Sequence, residues 1–504
     1  MNQIAVLPNL QLELNGKLID PQTARKVSSI VVRQALYLPT AALITFTEPP
    51  DSFYENLQTE PATELIIKCD GDQIFKGTTA AVEYTNQPFS GEVVTLRAYD
   101  SLYKMRKKQK CRSHSNLTCS DIIAEIAAEY TILVNAEKSG PHFPYIIQYQ
   151  QSDLDFITSI SQRTGFYFYL KNETLEFFLP ELKEEPKILT RGKNLLECTI
   201  ECNGTKSYDS FETFGWNPFR VSEHKGRAEN SPSSSDIARN FSNLKEDAPS
   251  LATYHIPLFD NEHADSLSNS IGNRSQGTEV TITGVAEGDP ELFPGSAIKI
   301  EGVQKMFSAT HILTEVLHQI DVHSGFITKF STEPPELVSN EVGPVATLAN
   351  VLSVDDPENL GRVKVSFPTC NNVQSDWLTV LFPAAGSDKG IVALPDVGDK
   401  VLVLLINNDL SFGIVLGGLF GVDRDSPGWG VVNGAVKNYI VKTKDGQSIM
   451  LNDAEESIVV KNKEGSFYEL APRQVTFHSK RDLLIEAPGS KITIRGNSIN
   501  FERG

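Results

Sequence analysis

A chain of 504 residues is too long for a single hydrophobic core and divides into about three or four domains on length alone. With 46 Lys and Arg against 64 Asp and Glu, the net charge of −18 excludes a nucleic-acid binder, which needs a basic face. Hydrophobic content of 40% and aromatic content of 9% exclude a disordered chain.

The opening residues, MNQIAVLPNLQLELNG, carry neither a basic leader nor an apolar run. The longest aliphatic stretch, residues 401–406, is far shorter than the roughly 20 residues that span a bilayer. Synthesis as a soluble cytoplasmic protein is expected. The acidity is uneven: residues 438–504 hold ten basic and nine acidic side chains, so the tail is compositionally distinct. Of the six cysteines, Cys198 and Cys202 share one face of a strand-like stretch but lie about 13 Å apart if extended, too far for a disulfide. Free, buried thiols are expected throughout.

In chain order, residues 4–110 are β-rich. Leu10, Leu12 and Leu14 alternate with polar positions, Asn15-Gly16 makes a hairpin turn, and 27–32 resumes the strand. Further strands are predicted at 65–69, 74–76 and 93–99. A helix over about 119–130 has Ser120 as its cap and Ile122, Ile123, Ile126 and Ala127 on one face. A second, over about 152–164, is capped by Ser152, has Asp153 and Asp155 in its first turn and stops at Gly165. An aromatic strand follows at once, with Phe166, Phe168 and Leu170 on one parity, and 175–179 pairs back onto it. Residues 225–250 are Ser-rich and aperiodic and predict an exposed loop. Strands return at 280–285, 297–300 and 327–330.

Residues 331–344, STEPPELVSNEVGP, have the composition of a linker. From 345 to 421 short strands recur at 346–354, 362–367, 378–382, 390–393, 400–406 and 414–419, separated by Asp, Pro and Gly turns. That spacing suits a small closed barrel, since closure removes reactive edges. After a connector at 422–437, strand-like units recur every 7 to 10 positions of 438–504, near residues 439, 448, 458, 467, 475, 483, 492 and 499. One parity is apolar, comprising Ile458, Val475, Phe477, Leu483, Ile485, Ile492, Ile494, Ile499 and Phe501; the other is polar. Such short, one-sided strands cannot bury their apolar stripe alone. Three copies wound around one axis would bury it, so a homotrimer is expected before any resemblance is considered.

The barrel stretch carries Asp356-Pro357, Gly361-Arg362-Val363-Lys364-Val365, Trp377, Leu394-Pro395, Val397-Gly398-Asp399 and Gly417-Gly418-Leu419. It closely resembles the OB-fold domain of VgrG-type spikes and phage baseplate spike proteins. In that family Gly361, Pro395, Gly398 and Gly417 would set turns, Trp377 would sit in the core, and proline is frequent where this chain has Gly413. Upstream, QSDLDFITSISQRTGFYFYL resembles the hub signature of the same proteins, and LFPGSAIKI and EVLHQID resemble their second hub barrel. The tail resembles their triple-stranded β-helix. The opening LNGKLIDPQTARKVSSIVVRQALYLPTAALITF resembles spikes of phage-like extracellular contractile injection systems more than type VI secretion VgrG proteins.

The resemblance implies a mainly β chain in five parts: a hub of two β-barrel-like subdomains with a few helices (1–330), linker (331–344), OB-fold barrel (345–421), connector (422–437) and a C-terminal intertwined trimeric β-helix needle (438–504). It also implies a structural role. A trimeric hub would seat the inner tube protein on the baseplate proteins, and sheath contraction would drive the needle through a target membrane. A PAAR-type tip protein would sit on Asn500, Phe501 and Glu502, effector cargo could ride on the spike, and the phage tail-like particle would be released or membrane-anchored. A type VI VgrG or a phage tail spike is the nearest alternative, and a muralytic enzyme a more distant one.

No catalytic motif supports the enzyme: G-x-S-x-G, H-E-x-x-H and P-loop sequences are missing, and the 16-residue connector is too short for a catalytic domain. His311, His318, Asp321 and His323 cluster in sequence, but His318 and His323 have opposite strand parity and do not make a metal site. The basic run 104–110, KMRKKQK, lacks interleaved stacking aromatics and is expected to be solvated or to meet an acidic neighbour. No cofactor is implied.

Overall fold

A computed structural model describes residues 8–58, 63–87, 91–136, 142–180, 185–206, 208–229, 237, 250–337, 345–421 and 430–502. The chain forms two compact units, Met1–Gly418 and Leu419–Gly504. Hub and barrel therefore belong to one unit, not two separated by a flexible tether.

The hub is organised by an eleven-stranded sheet in which Val27–Ala35 lies between Ala41–Thr47 and Glu315–Asp321. Alternation sets the faces: in Ala41–Thr47, Ala42, Ile44 and Phe46 are fully buried and the residues between them are not. Register aligns the buried sets, with Ile30 opposite Ile44 and Ile44 opposite Leu96. Across the join between the early and late halves of the hub, Arg33 Nε donates to Glu315 at 2.6 Å. The predicted strand at 74–76 is the start of a much longer one, Asp72–Gln87.

Two helices and an aromatic hairpin form a separate core. The first helix, Cys119–Ala128, is capped by Thr118 rather than by Ser120. Thr118 Oγ1 accepts from the Asp121 backbone N–H, and Asp121 accepts from the Thr118 N–H, a reciprocal capping box. The second helix, Asp153–Thr164, begins at Ser152 and ends at Gly165 with φ of 80°. The hairpin Tyr167–Lys171/Thr174–Phe178 turns through Asn172 and Glu173, both left-handed, and its inward Phe168, Leu175 and Phe177 fill the space under both helices.

Asp153 is a structural anchor as well as a dipole partner. Its buried carboxylate receives Lys110 Nζ and Arg112 Nη2 at 2.7 Å each, Tyr130 Oη at 2.6 Å and Gln148 Nε2 at 3.0 Å. Burial pushes its pKa up, but these donors outweigh burial and hold it below the usual carboxylate value. Lys110, from the basic run, is thus consumed in an internal ion-pair network; Lys107 lies over the Tyr103 ring.

A 19-residue helix, Asn261–Glu279, has no counterpart in the sequence expectations. Its buried face carries the small residues Ala264, Ser268, Ser270 and Gly272, with His263 and Glu279, instead of large apolar ones. Small residues allow contact at backbone distance: a Cβ at Gly226 would overlap the Ala264 backbone, and one at Gly272 would stand 3.0 Å from Phe211. The segment predicted as an exposed loop, 225–250, begins instead inside the strand Ser222–Glu229. Most of the rest lies outside the described residues, and Ile237 is fully buried.

The barrel strands run in the order Val373–Gln374, Lys364–Phe367, Ala346–Ser353, Lys400–Leu405, Gly413–Gly418, Thr379–Val380, and a bridge between Val363 and Leu378 closes the ring. Residues 390–393 are not a strand, contrary to expectation, and Ile391 and Val392 stand exposed. Trp377 is also misplaced by the sequence reading. It is half-buried beneath Lys364 Nζ, 5.3 Å from its ring, while its neighbour Leu378 has the inward parity. Gly361 and Gly398 take positive φ of 69° and 86° in turns, Gly417 has φ of 152° beside a register shift, and Pro395 is half-buried. At Gly413 an added Cβ would stand 2.7 Å from Val403 Cγ1, which explains why this strand opens on glycine.

Of the six cysteines, none disulfide-bonded, Cys69, Cys119 and Cys370 are buried, and Cys111, Cys198 and Cys202 only partly so. Among the described residues no helix is long and apolar enough to cross a membrane, and no group of three or more His, Cys, Asp or Glu is placed to hold a metal. His318 is buried against Thr328 and His323 sits in the turn closed by Asp321.

Candidate functional site

The second unit is built from strands Asn438–Lys442, Ser448–Asn452, Ser457–Lys461, Phe467–Leu470 and Val475–His478, each antiparallel to the next. A hairpin, Val431–Val432 with Ala435–Val436, precedes them. Gly446 and Gly465 turn the chain with φ of 93° and 95°. Ladder register then decides what the surface carries. Tyr439 faces Leu451 and Val441 faces Ile449; these face Ile458 and Val460, which face Leu470 and Tyr468, which in turn face Val475 and Phe477.

Side chains directly opposite one another in a ladder share a face. All ten of these large apolar residues therefore project from one side of one sheet, and every one of them is solvent-exposed in the single chain. A contiguous apolar surface of this kind marks an interaction face. Among the described residues of the unit no second layer covers it, which is the feature a self-contained β domain would require.

The expected needle stripe is divided by the structure. Ile458, Val475 and Phe477 lie on this sheet face. Leu483, Ile485, Ile492, Ile494, Ile499 and Phe501 follow it, all exposed, with Phe501 at 92%. No strand is assigned over 479–502, although units near residues 483, 492 and 499 were predicted. The physical reason is that a strand exists through its ladder, and these segments have no ladder partner among the described residues. Asn500 and Glu502 are exposed beside Phe501. Sequence reading missed Tyr439, Val441, Ile449, Leu451, Val460, Tyr468 and Leu470 as members of the face; their alternation was visible, but the pairing that unites them was not.

Within the first unit, the barrel carries its own internal clamp. Arg362 Nη2 and Nε reach Asp356 Oδ1 and Oδ2 at 2.7 and 2.9 Å, and both side chains are almost completely buried. The guanidinium, aided by backbone N–H groups of Glu358 and Leu360, holds the Asp356 carboxyl well below the usual range. The barrel is seated on the hub by Ile147 N–H to Ser411 Oγ at 2.7 Å, Thr379 Oγ1 to the Pro218 carbonyl at 2.7 Å, and the Tyr145 hydroxyl to the Gln374 carbonyl.

A family model described as the Alg8 N-terminal domain matches residues 61–321, a little over half of the chain. The chain belongs to that family. A second model, the type VI secretion system/phage-baseplate injector OB domain, matches residues 347–420 of this Alg8-family chain.

Among curated proteins, the type VI secretion system spike protein VgrG1b of Pseudomonas aeruginosa is 27% identical over 148 residues, covering 28% of the chain and 20% of the relative. VgrG3 of Vibrio cholerae is 36% identical over 75 residues, covering 14% and 7%. The chain thus spans a fifth or less of the length of these relatives. Among solved structures, the Escherichia coli c3393 protein, a type VI secretion component, superposes with a TM-score of 0.52 at 13% identity over 81% of this chain and 99% of that one. A Francisella PdpA–VgrG complex gives 0.56 at 8% identity, over 94% and 89%. The fold of this Alg8-family chain is that of VgrG-type and phage baseplate spike proteins.

Proposed function

We propose that this chain is the trimeric spike of a contractile injection machine, a structural part whose hub seats the inner tube on the baseplate and whose tail pierces the target envelope. The observation that carries this is the uncovered sheet face of the second unit. Ten large apolar side chains on one face, followed by a segment with no ladder partner among the described residues, support a surface completed by other copies of the chain. Three copies would supply both the missing interior and the missing ladder neighbours. Exposed Leu348, Leu381, Ile391 and Val392 on the barrel suit the same assembly.

The similarity to VgrG-type spikes supports the role, and the opening sequence favours an extracellular injection system over a type VI apparatus. A PAAR-type tip would rest on Asn500, Phe501 and Glu502, and baseplate proteins and effector cargo are the remaining partners. No catalysis is part of the proposal.

Leu451→Asp tests it. In a lone chain Leu451 is exposed, so a charge there would leave stability nearly unchanged. In a trimer the same carboxylate is buried without a partner, and resistance of the oligomer to SDS and heat should be lost. A variant as resistant as the wild type would refute the assignment.

A further inference from the structure

The six cysteines are distributed over separate cores, with one exception. Cys69 lies in the core of the hub sheet, Cys119 in the helical core, and Cys198 and Cys202 pack against two others. Cys111 of the hub and Cys370 of the barrel share one. Cys111 stands on the strand Gln109–Leu117, directly opposite Tyr149 in the ladder. Cys370 closes the short turn Pro368–Cys370 and is followed by two left-handed residues, Asn371 and Asn372, with φ of 55° and 54°.

The Cys370 thiol is within hydrogen-bonding reach of both the Cys111 thiol and the Tyr149 hydroxyl. The segments that carry them are pinned together by the Tyr145 hydroxyl on the Gln374 carbonyl. The two thiols are therefore held as neighbours across the hub–barrel seam, unbonded. Cys370 sits between strands Lys364–Phe367 and Val373–Gln374 rather than inside one, so drawing it towards Cys111 breaks no ladder pair. Access is unequal: Cys370 is buried and Cys111 half-buried.

We propose that Cys111 and Cys370 form a redox site, which a small-molecule disulfide oxidises to a bond fastening hub to barrel. Cys111, the more accessible thiol, loses its proton to solvent, and its thiolate attacks one sulfur of the oxidant. The S–S bond of the oxidant breaks, one thiolate leaves and is protonated, and a mixed disulfide remains on Cys111. Cys370 then loses its proton and attacks the Cys111 sulfur, expelling the second thiolate, which is protonated in turn. Two protein thiols are oxidised and one small disulfide is reduced to two thiols. Burial raises the Cys111 thiol above its ordinary value, so closure should be slow at neutral pH and faster as pH rises. The bond would close a loop of about 260 residues and so constrain the unfolded chain strongly. Neither the trimer nor the tail enters this argument, and the site stands whether or not the chain is a spike.

The test incubates the folded full-length protein with glutathione disulfide, blocks the remaining thiols, digests without reduction and identifies linked peptides by mass spectrometry. The Cys111–Cys370 peptide should account for most of the oxidised Cys370, and dithiothreitol should remove it. A boiled, non-reducing gel should show a single chain. Cys370→Ser should stop at glutathione on Cys111, and Cys111→Ser should leave Cys370 reduced. A Cys370 that stays reduced in the wild type, glutathione accumulating on Cys111 without the linked peptide, a link between chains, or a link formed only in urea would each overturn the proposal. The wild-type digest needs no variant, so a poorly folding mutant cannot obscure the result.

Discussion

Replacing Asp356 by alanine would leave the Arg362 guanidinium buried in the barrel with its carboxylate removed. The pair is joined by charge-assisted bonds of 2.7 and 2.9 Å, and both side chains are 6% exposed or less. Removing one member of a buried ion pair costs about 3–5 kcal/mol, because the remaining charge keeps its desolvation penalty and loses its compensation. Arg362 also reaches Glu358 at 3.2 Å, but that carboxylate is half exposed and recovers little. The double change Asp356→Leu with Arg362→Met removes both charges, and the backbone N–H groups of Glu358, Leu360 and Arg362 lose an acceptor. Their loss costs about 1 kcal/mol each, a cost that the alanine variant bears as well. The single variant should therefore be markedly worse than the double. Hydrogen exchange of strand Lys400–Leu405 reads this directly: the alanine variant should exchange roughly a hundredfold to several thousandfold faster than the double variant. A single variant within tenfold of wild type would refute the reasoning that this clamp holds the barrel closed.

Other consequences can be checked more briefly. Burial depresses His318 from 6.5 to about 4, so the unfolded chain takes up its proton first and His318 contributes stability above pH 6.5 that is lost as pH falls towards 4, about 3 kcal/mol in full. Asp100, pushed up to about 7 by burial, acts in the opposite sense over the same range. The clean measurement is thus the difference between wild type and His318→Gln in urea, whose gap should narrow from pH 7 to pH 4; a constant gap would contradict it. Gly413→Ala, which brings a methyl within 2.7 Å of Val403 Cγ1, should lower barrel stability by about 1–3 kcal/mol in the same urea experiment. Deleting 438–504 should leave a soluble hub and barrel but abolish most resistance to SDS and heat on gels; unchanged resistance would count against the tail as the trimer's core.

Much of this architecture is written locally, and the exceptions share a cause. Ser152 and Gly165 bracket their helix in plain view because caps are chemistry of adjacent residues. Thr118 with Asp121 is equally local, a three-residue capping-box spacing, although Ser120 stands nearer the apolar run. Helix Asn261–Glu279 is not legible in the sequence because Ala264, Ser268 and Gly272 leave no large-residue periodicity; its partners, Gly226 and Phe211, lie about 40 and 60 residues away. Trp377 looked like core because tryptophan usually is, whereas one step of strand parity gave that place to Leu378. In the tail the apolar parity was legible, and the ladder that gathers Tyr439, Leu451, Ile458 and Leu470 into one row was not, since register is a property of pairs.

Everything said about the tail turns on its sheet face being closed by two further copies of the chain. Light scattering coupled to size-exclusion chromatography of the full-length protein measures that number without any variant or ligand. Three chains of 55.6 kDa give a particle of about 167 kDa, and that is the mass predicted. A homogeneous 55.6 kDa species at micromolar concentration would contradict the account.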